Sequence, residues 1–183
     1  MDHHQKPIGL PRTDAVPLLR TDFTDPSAWE RLLRALEMPV TFEEGSQDVA
    51  FYDSATMYVT PVDDEKYRGL PAETVLAAAP YTGHELPYDH IYLADAETFA
   101  WDDLPLLGID IHLDPDGDPW PREKPFRIPA LHLAGVEVND SIGNLFFREN
   151  HDFDWSGFPV YVAEPGTPVH DEFRRMGVTD RED

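Results

Sequence analysis

The stretch VPLLRTDFTDPSAWERLLRALEM, Val16 to Met38, decides the fold class. Its first part, Val16 to Phe23, is an apolar run of strand length. The second part carries the clearest helix signals in the chain. Asp25 is placed to accept hydrogen bonds from the free amides of a first turn, and Pro26 suits the first helical position because its missing N–H would be unpaired there anyway. Trp29, Leu32, Leu33 and Leu36 recur at helical spacing on one face, and Glu30 and Arg34 form an i,i+4 pair on the other. A strand that runs straight into a helix begins an α/β unit.

Outward from this unit, ATMYVTPV, within Phe42 to Asp64, has the β-branched and aromatic residues of a second strand. Leu70 to Pro80 reads as a short helix with Pro71 near its start and Pro80 as its stop. HIYLADAETF opens with a strand and LPLLGIDIHL supplies another. Both are continuously apolar rather than alternating, as expected of a sheet covered on both faces. The segment DPDGDPWPREKPFRIP, with prolines at 115, 119, 121, 125 and 129, reads as a surface excursion or flap without regular structure. ALHLAGVEV and NLFF look like strand material, and FPVYVAE, Phe158 to Glu164, like a last strand. The expected fold class is α/β (or α+β). It is a single domain with a mixed β-sheet, βα units in the N-terminal half and antiparallel strands in the C-terminal half. Residues 1–14 read as a mobile leader, 15–165 as the domain with a Pro-rich loop at 114–129, and 166–183 as a charged tail.

Thirty-six acidic residues face fourteen basic ones, a formal charge of -22. That charge repels phosphate backbones and anionic membrane surfaces, so neither nucleic acid nor membrane is an expected partner, whereas cations and basic proteins are favoured. A solvated acidic surface alone also accounts for it. The acidic residues are spread along the chain rather than gathered in a tail. The absence of cysteine excludes disulfides, thiol catalysis and cysteine-based zinc sites, and agrees with a cytoplasmic home. The N-terminus has no apolar signal-peptide core, and no run of eighteen apolar residues is available to span a membrane.

The chain lacks a Gly-rich phosphate loop, a G-x-S-x-G elbow and an H-E-x-x-H helix. Its eight histidines are scattered, with only His3 and His4 adjacent. Asp114 to Trp120 resembles a calcium loop, but positions 6 and 12 fall on Pro119 and Pro125, so an EF-hand is excluded. Three strand-like runs end in an aspartate, at Asp22, Asp95 and Asp110. If those strands were parallel neighbours, the three carboxylates would converge on the ligand crevice of an open α/β sheet and hold a divalent ion, Mg²⁺ or Ca²⁺. The plainer alternative is that each closes a turn or caps a helix. In VEVNDSIGNLFF, Val136 to Phe147, the residues Glu137, Asn139, Ser141 and Asn144 read either as a hydrogen-bonding cluster at a sheet edge, able to bind a polar ligand or a partner's backbone, or as an ordinary polar bend. In the second case Glu137 faces water between Val136 and Val138.

VPLLRTDFTDPSAWERL, YLADAETF…LPLLGIDI and FRIPALHLAGVEVNDSIGNLFF together resemble an uncharacterised domain family of actinobacterial proteins, over Val16 to about Asp154. In that family the last block runs F-R-x-x-P, a short apolar stretch, then V-E-x-N-x-S-I-x-N and an aromatic. This pattern falls here on Phe126, Arg127, Glu137, Asn139, Ser141, Ile142, Asn144 and Phe147. The chain departs from it in the Pro-rich insertion before Phe126 and in FRENHDFDW, where an acidic helix is usual. The resemblance implies a stable fold and a significant last block, with no reaction attached.

These readings point first to a non-enzymatic cytoplasmic interaction protein that binds a basic protein partner. An immunity or inhibitor protein blocking a basic toxin is its concrete form, with Trp101, Trp120 and Trp155 as anchors. The alternative is a small-molecule enzyme or ligand-binding protein, such as a biosynthetic accessory, that uses the strand-end acidic crevice and its divalent cation.

Overall fold

The structure, a computed structural model, describes residues 9–44, 54–78, 87–111 and 124–162. A five-stranded sheet in the order β3-β1-β4-β5-β6 forms its centre, built from β1 (Val16–Arg20), β3 (Val59–Val62), β4 (His90–Ala94), β5 (Leu106–Asp110) and β6 (Phe126–Ile128). β3, β1 and β4 are parallel; β5 and β6 are added antiparallel. The expected single α/β domain with a mixed sheet is what forms. β2 (Val40–Thr41) and β7 (Tyr161–Val162) pair antiparallel as a separate small ribbon.

Continuous apolar strands bury both faces, and the period of two divides them. Leu18, Tyr92, Ala94, Leu106 and Ile128 face one core together with Trp29, Leu32 and Leu36 of α1 (Pro26–Glu37). Leu19, Ile91, Leu93 and Ile109 face the other, beside Val75 of α2 (Ala72–Ala78), Tyr67 and Leu70. The α1 signals act as expected: the Asp25 side chain accepts from the Ser27 and Ala28 amides at 2.9 and 3.2 Å.

Three expectations need correcting. ALHLAGVEV is not strand material: after a short 3₁₀ turn at Ala130–His132, Leu133–Ser141 is a helix, α4, packed on the first core. Its buried residues, Leu133, Ala134, Val136 and Glu137, follow helical spacing, and burial of that stripe outweighs the β-branched character of the valines. α4 ends in a Schellman arrangement. Gly143 sits at φ +66°, its N–H donates to Asp140 O at 3.0 Å, and Asn144 N–H donates to Asn139 O at 2.9 Å. NLFF, similarly, leads into a 3₁₀ turn at Phe147–Asn150 rather than a strand. The Pro-rich segment yields strand β6 at its C-terminal end, although residues 112–123, and Trp120 with them, lie outside the described residues.

Of residues 1–14, expected as a leader, 9–14 are described, and Gly9 to Pro11 lie against the second core. Leu10 packs there, Tyr67 OH donates to Gly9 O at 3.2 Å, and Tyr88 OH donates to Pro11 O. The charged tail, 166–183, lies outside the described residues.

Candidate functional site

The strand-end aspartates do not meet. Asp22 and Asp95 follow the parallel strands β1 and β4, but β5 runs the other way, so Asp110 pairs in register with His90 at the opposite end of the sheet. The connection through the short helix α3 (Ala96–Ala100) is too brief for a parallel crossover. Each carboxylate is engaged locally. Asp22 accepts from Thr24 N and Oγ1 at 2.9 and 3.0 Å. Asp95 caps α3 through the Thr98 amide at 3.0 Å and receives both arms of Arg127 at 2.9 and 2.7 Å. Partial burial pushes the Asp95 carboxyl up, but the Arg127 guanidinium and the Thr98 bonds outweigh it and hold the group below the usual carboxylate range. Asp110 is buried with Arg148 Nε 3.9 Å away. The carboxyl end of the parallel strands is further closed by Arg20, which donates to Asp63 at 3.2 Å and to Asp22 O at 3.0 Å and lies over the Phe23 ring.

Glu137, Asn139, Ser141 and Asn144 do not form one cluster either, because α4 turns Glu137 inward, away from Asn139, Ser141 and the Asn144 that follows the helix. Asn139 donates to Gly135 O and accepts from Asn144 Nδ2, both at 2.7 Å, and Ser141 Oγ donates to Val138 O at 2.8 Å. These bonds finish the end of α4. Glu137 points the other way, into the interior.

There it meets residues that no motif announced. His90 and Tyr92 alternate onto the same face of β4. His90 Nε2 lies 2.9 Å from Glu137 Oε1, and the Tyr92 hydroxyl donates to that same oxygen. His90 Nδ1 lies 2.7 Å from Asp89 Oδ1. The imidazole is stacked on Phe147, centroids 4.1 Å apart and planes within 5°, with Tyr92 edge-on to both rings. Gly108, opposite Tyr92 on β5, leaves room for this stack: a Cβ there would sit 2.7 Å from Phe147 Cζ. His90, Tyr92 and Glu137 are 1%, 0% and 4% exposed, so the network forms the floor of whatever lies above it.

Burial alone would discharge His90. The Glu137 charge and the Asp89 and Glu137 hydrogen bonds overcome it and push the imidazole up to about 10. At neutral pH both ring nitrogens therefore donate. Burial and the neighbouring Glu137 carboxylate together push the Tyr92 hydroxyl well above its ordinary value. Asp140 is also pushed up, first by burial and then by Asp89 and Glu137, against the Phe147 amide, which donates to it at 2.9 Å.

Above this floor a cleft of about 610 Å³ opens at the N-terminal ends of the parallel strands. Asp89, His90, Glu137 and Asp140 line its inner end; Asp14, Met57, Tyr58, Tyr88 and Ser141 are among the residues of its walls. It carries no lysine or arginine among the described residues. One ligand atom each from Asp89, His90 and Asp140 lie within 4.8 Å of one another. A second, more apolar cavity of about 410 Å³ lies between α1 and the C-terminal segment, walled by Met38, Leu131, Trp155 and Phe158 among others. Of the expected aromatic anchors, Trp101 is exposed, whereas Trp155 is half-buried and donates to Arg127 O at 3.1 Å.

Sequence reading missed His90 because a single histidine opening an apolar strand carries no spacing signal. Glu137 held the usable clue: helical spacing from Leu133 and Ala134 turns it inward, and a buried carboxylate requires a donor.

In comparison with known proteins, the family model described as Domain of unknown function (DUF6924) matches residues 15–158. No curated protein and no solved structure matches the chain.

Proposed function

We propose, from the premise that this chain belongs to the DUF6924 family, that it is an acidic binding protein whose cleft receives a cationic group of a basic protein partner. The observation that supports this reading is the one-sided charge of the cleft. Asp14, Asp89, Glu137 and Asp140 line it without lysine or arginine among the described residues, on a chain of formal charge -22. The one basic group lining it among the described residues, His90, is buried and already held by two carboxylates. Such a field raises the encounter rate with a positive partner, and the carboxylates fix where its charge settles. An immunity or inhibitor protein that neutralises a basic toxin is the concrete form of this reading.

The test uses an oligo-arginine peptide as probe, with EDTA present and sodium chloride varied. Binding is expected to weaken steeply with salt. It should fall in Asp14→Asn/Asp89→Asn and persist in Glu30→Gln/Glu73→Gln, which removes the same charge from exposed helix positions elsewhere. Equal loss in both variants, or binding indifferent to half-molar salt, would overturn the cleft as the recognition element.

A second reading is favoured by the buried network. Titratable groups with displaced pKa values on the floor of a cleft are where small-ligand chemistry is usually found. Under it the chain is a small-molecule enzyme or ligand-binding protein, and a small amine would raise the melting temperature of the wild type but not of Asp89→Asn.

A further inference from the structure

We propose that Asp89, His90 and Asp140 form a binding site for one divalent transition-metal ion, Zn²⁺ or Mn²⁺, at the inner end of the cleft. The donor set consists of one imidazole nitrogen and two carboxylate oxygens mutually within 4.8 Å. An ion with bonds of about 2.0–2.2 Å draws such ligands together by small rotations of the two aspartates. The imidazole suits Zn²⁺ and the two carboxylates also suit Mn²⁺, whereas Mg²⁺ and Ca²⁺ prefer all-oxygen ligands.

Three features beyond the donor set bear on this assignment. His90 Nε2 is engaged by the buried Glu137, which also holds Tyr92, so the ring is oriented by an outer carboxylate in the way that metal-ligating imidazoles are. Nδ1 is left facing Asp89 and the cleft, where an ion takes the place of the proton shared between them. Asp140 is fixed from behind, since the Phe147 amide donates to one of its oxygens. The cleft itself supplies an access path and room for water in the remaining coordination positions. The ligands come from two elements, the start of β4 and the end of α4, so the ion would also tie the helix to the sheet.

The site stands independently of the partner reading: it needs three particular side chains rather than the field of the cleft. Calorimetric titration of the full chain, stripped with EDTA and dialysed, with ZnCl₂ and with MnCl₂ tests it without any partner present. The adjacent His3 and His4 are a competing site, so the titration is run in His3→Ala/His4→Ala. One ion per chain is expected there, with affinity falling at least about tenfold in Asp140→Asn and in Glu137→Gln and unchanged in Asp22→Asn, at the other end of the sheet. With Co²⁺ as the probe, X-ray absorption should show one imidazole among oxygen ligands. Binding that vanishes with the N-terminal histidines, or that is as tight in a folded Asp140→Asn as in its parent, overturns the site. Loss of metal binding would leave the EDTA-insensitive peptide binding untouched, so the two readings fail separately.

Discussion

His90 is the residue on which most of the local energetics turn. It is fully enclosed, stacked on Phe147, and charged only because Glu137 and Asp89 bracket it. A histidine whose folded pKa is raised from its usual 6.5 to about 10 adds stability that is fully present below the unfolded value and is lost as pH rises through the folded one. The metal-free protein should therefore lose melting temperature between about pH 6.5 and 10, beyond any baseline slope. Glu137→Gln should flatten that decline, and thermal scans of both proteins across this range check it. Glu137→Ala removes the partner but leaves the buried imidazole, and should cost about 3–5 kcal/mol in urea unfolding. Gly108 tests the stack from the other side. Its Cβ would press on Phe147 at 2.7 Å, within a sheet whose backbone cannot retreat, so Gly108→Ala should lose about 1–3 kcal/mol by the same measurement.

At the scale of elements, α1 and α4 contrast in where their instructions lie. The start of α1 is written locally: Asp25 and Pro26 set it, and Trp29, Leu32 and Leu36 give its buried face. Asp25→Ala should destabilise by about 1 kcal/mol in chemical denaturation, the usual worth of such a cap. α4 has no side-chain cap at its start and a polar residue in its buried stripe. Its stop, however, is local, because Gly143 takes the left-handed conformation that closes the Schellman arrangement. The antiparallel turn from β4 to β5 is the other element-scale decision. It follows from the short connection through α3, which Asp95 caps, and it carries Asp110 away from Asp22 and Asp95.

The whole molecule carries thirty-six acidic residues against fourteen basic ones, and no helix among the described residues is long and apolar enough to cross a membrane. Self-repulsion of that size opposes the compact state and is screened by salt within about 10 Å at 0.1 M. The melting temperature should therefore rise between 10 and 300 mM sodium chloride. Scanning calorimetry at constant pH checks this, and a melting temperature that falls over the range would show that attractive surface pairs outweigh repulsion. Against that diffuse charge the cleft is a local concentration, positioned at the N-terminal ends of β3, β1 and β4 rather than at the carboxyl ends, where Arg20 and Arg127 occupy the aspartates.

The residues alone determined the strand–helix opening of the chain, the two-sided burial of β4 and β5, the exclusion of thiol chemistry and the sign of the surface. Each of these follows from properties read within one segment or summed over all of them. The tertiary structure alone decided that the antiparallel addition begins already at β5, the helical state of Leu133–Ser141, and the meeting of His90 with Glu137, forty-seven positions apart. Direction, helicity and meeting all depend on what a segment packs against. A carboxylate that reads as solvent-facing beside two valines becomes the floor of a cleft once its helix is laid across a histidine on the neighbouring strand.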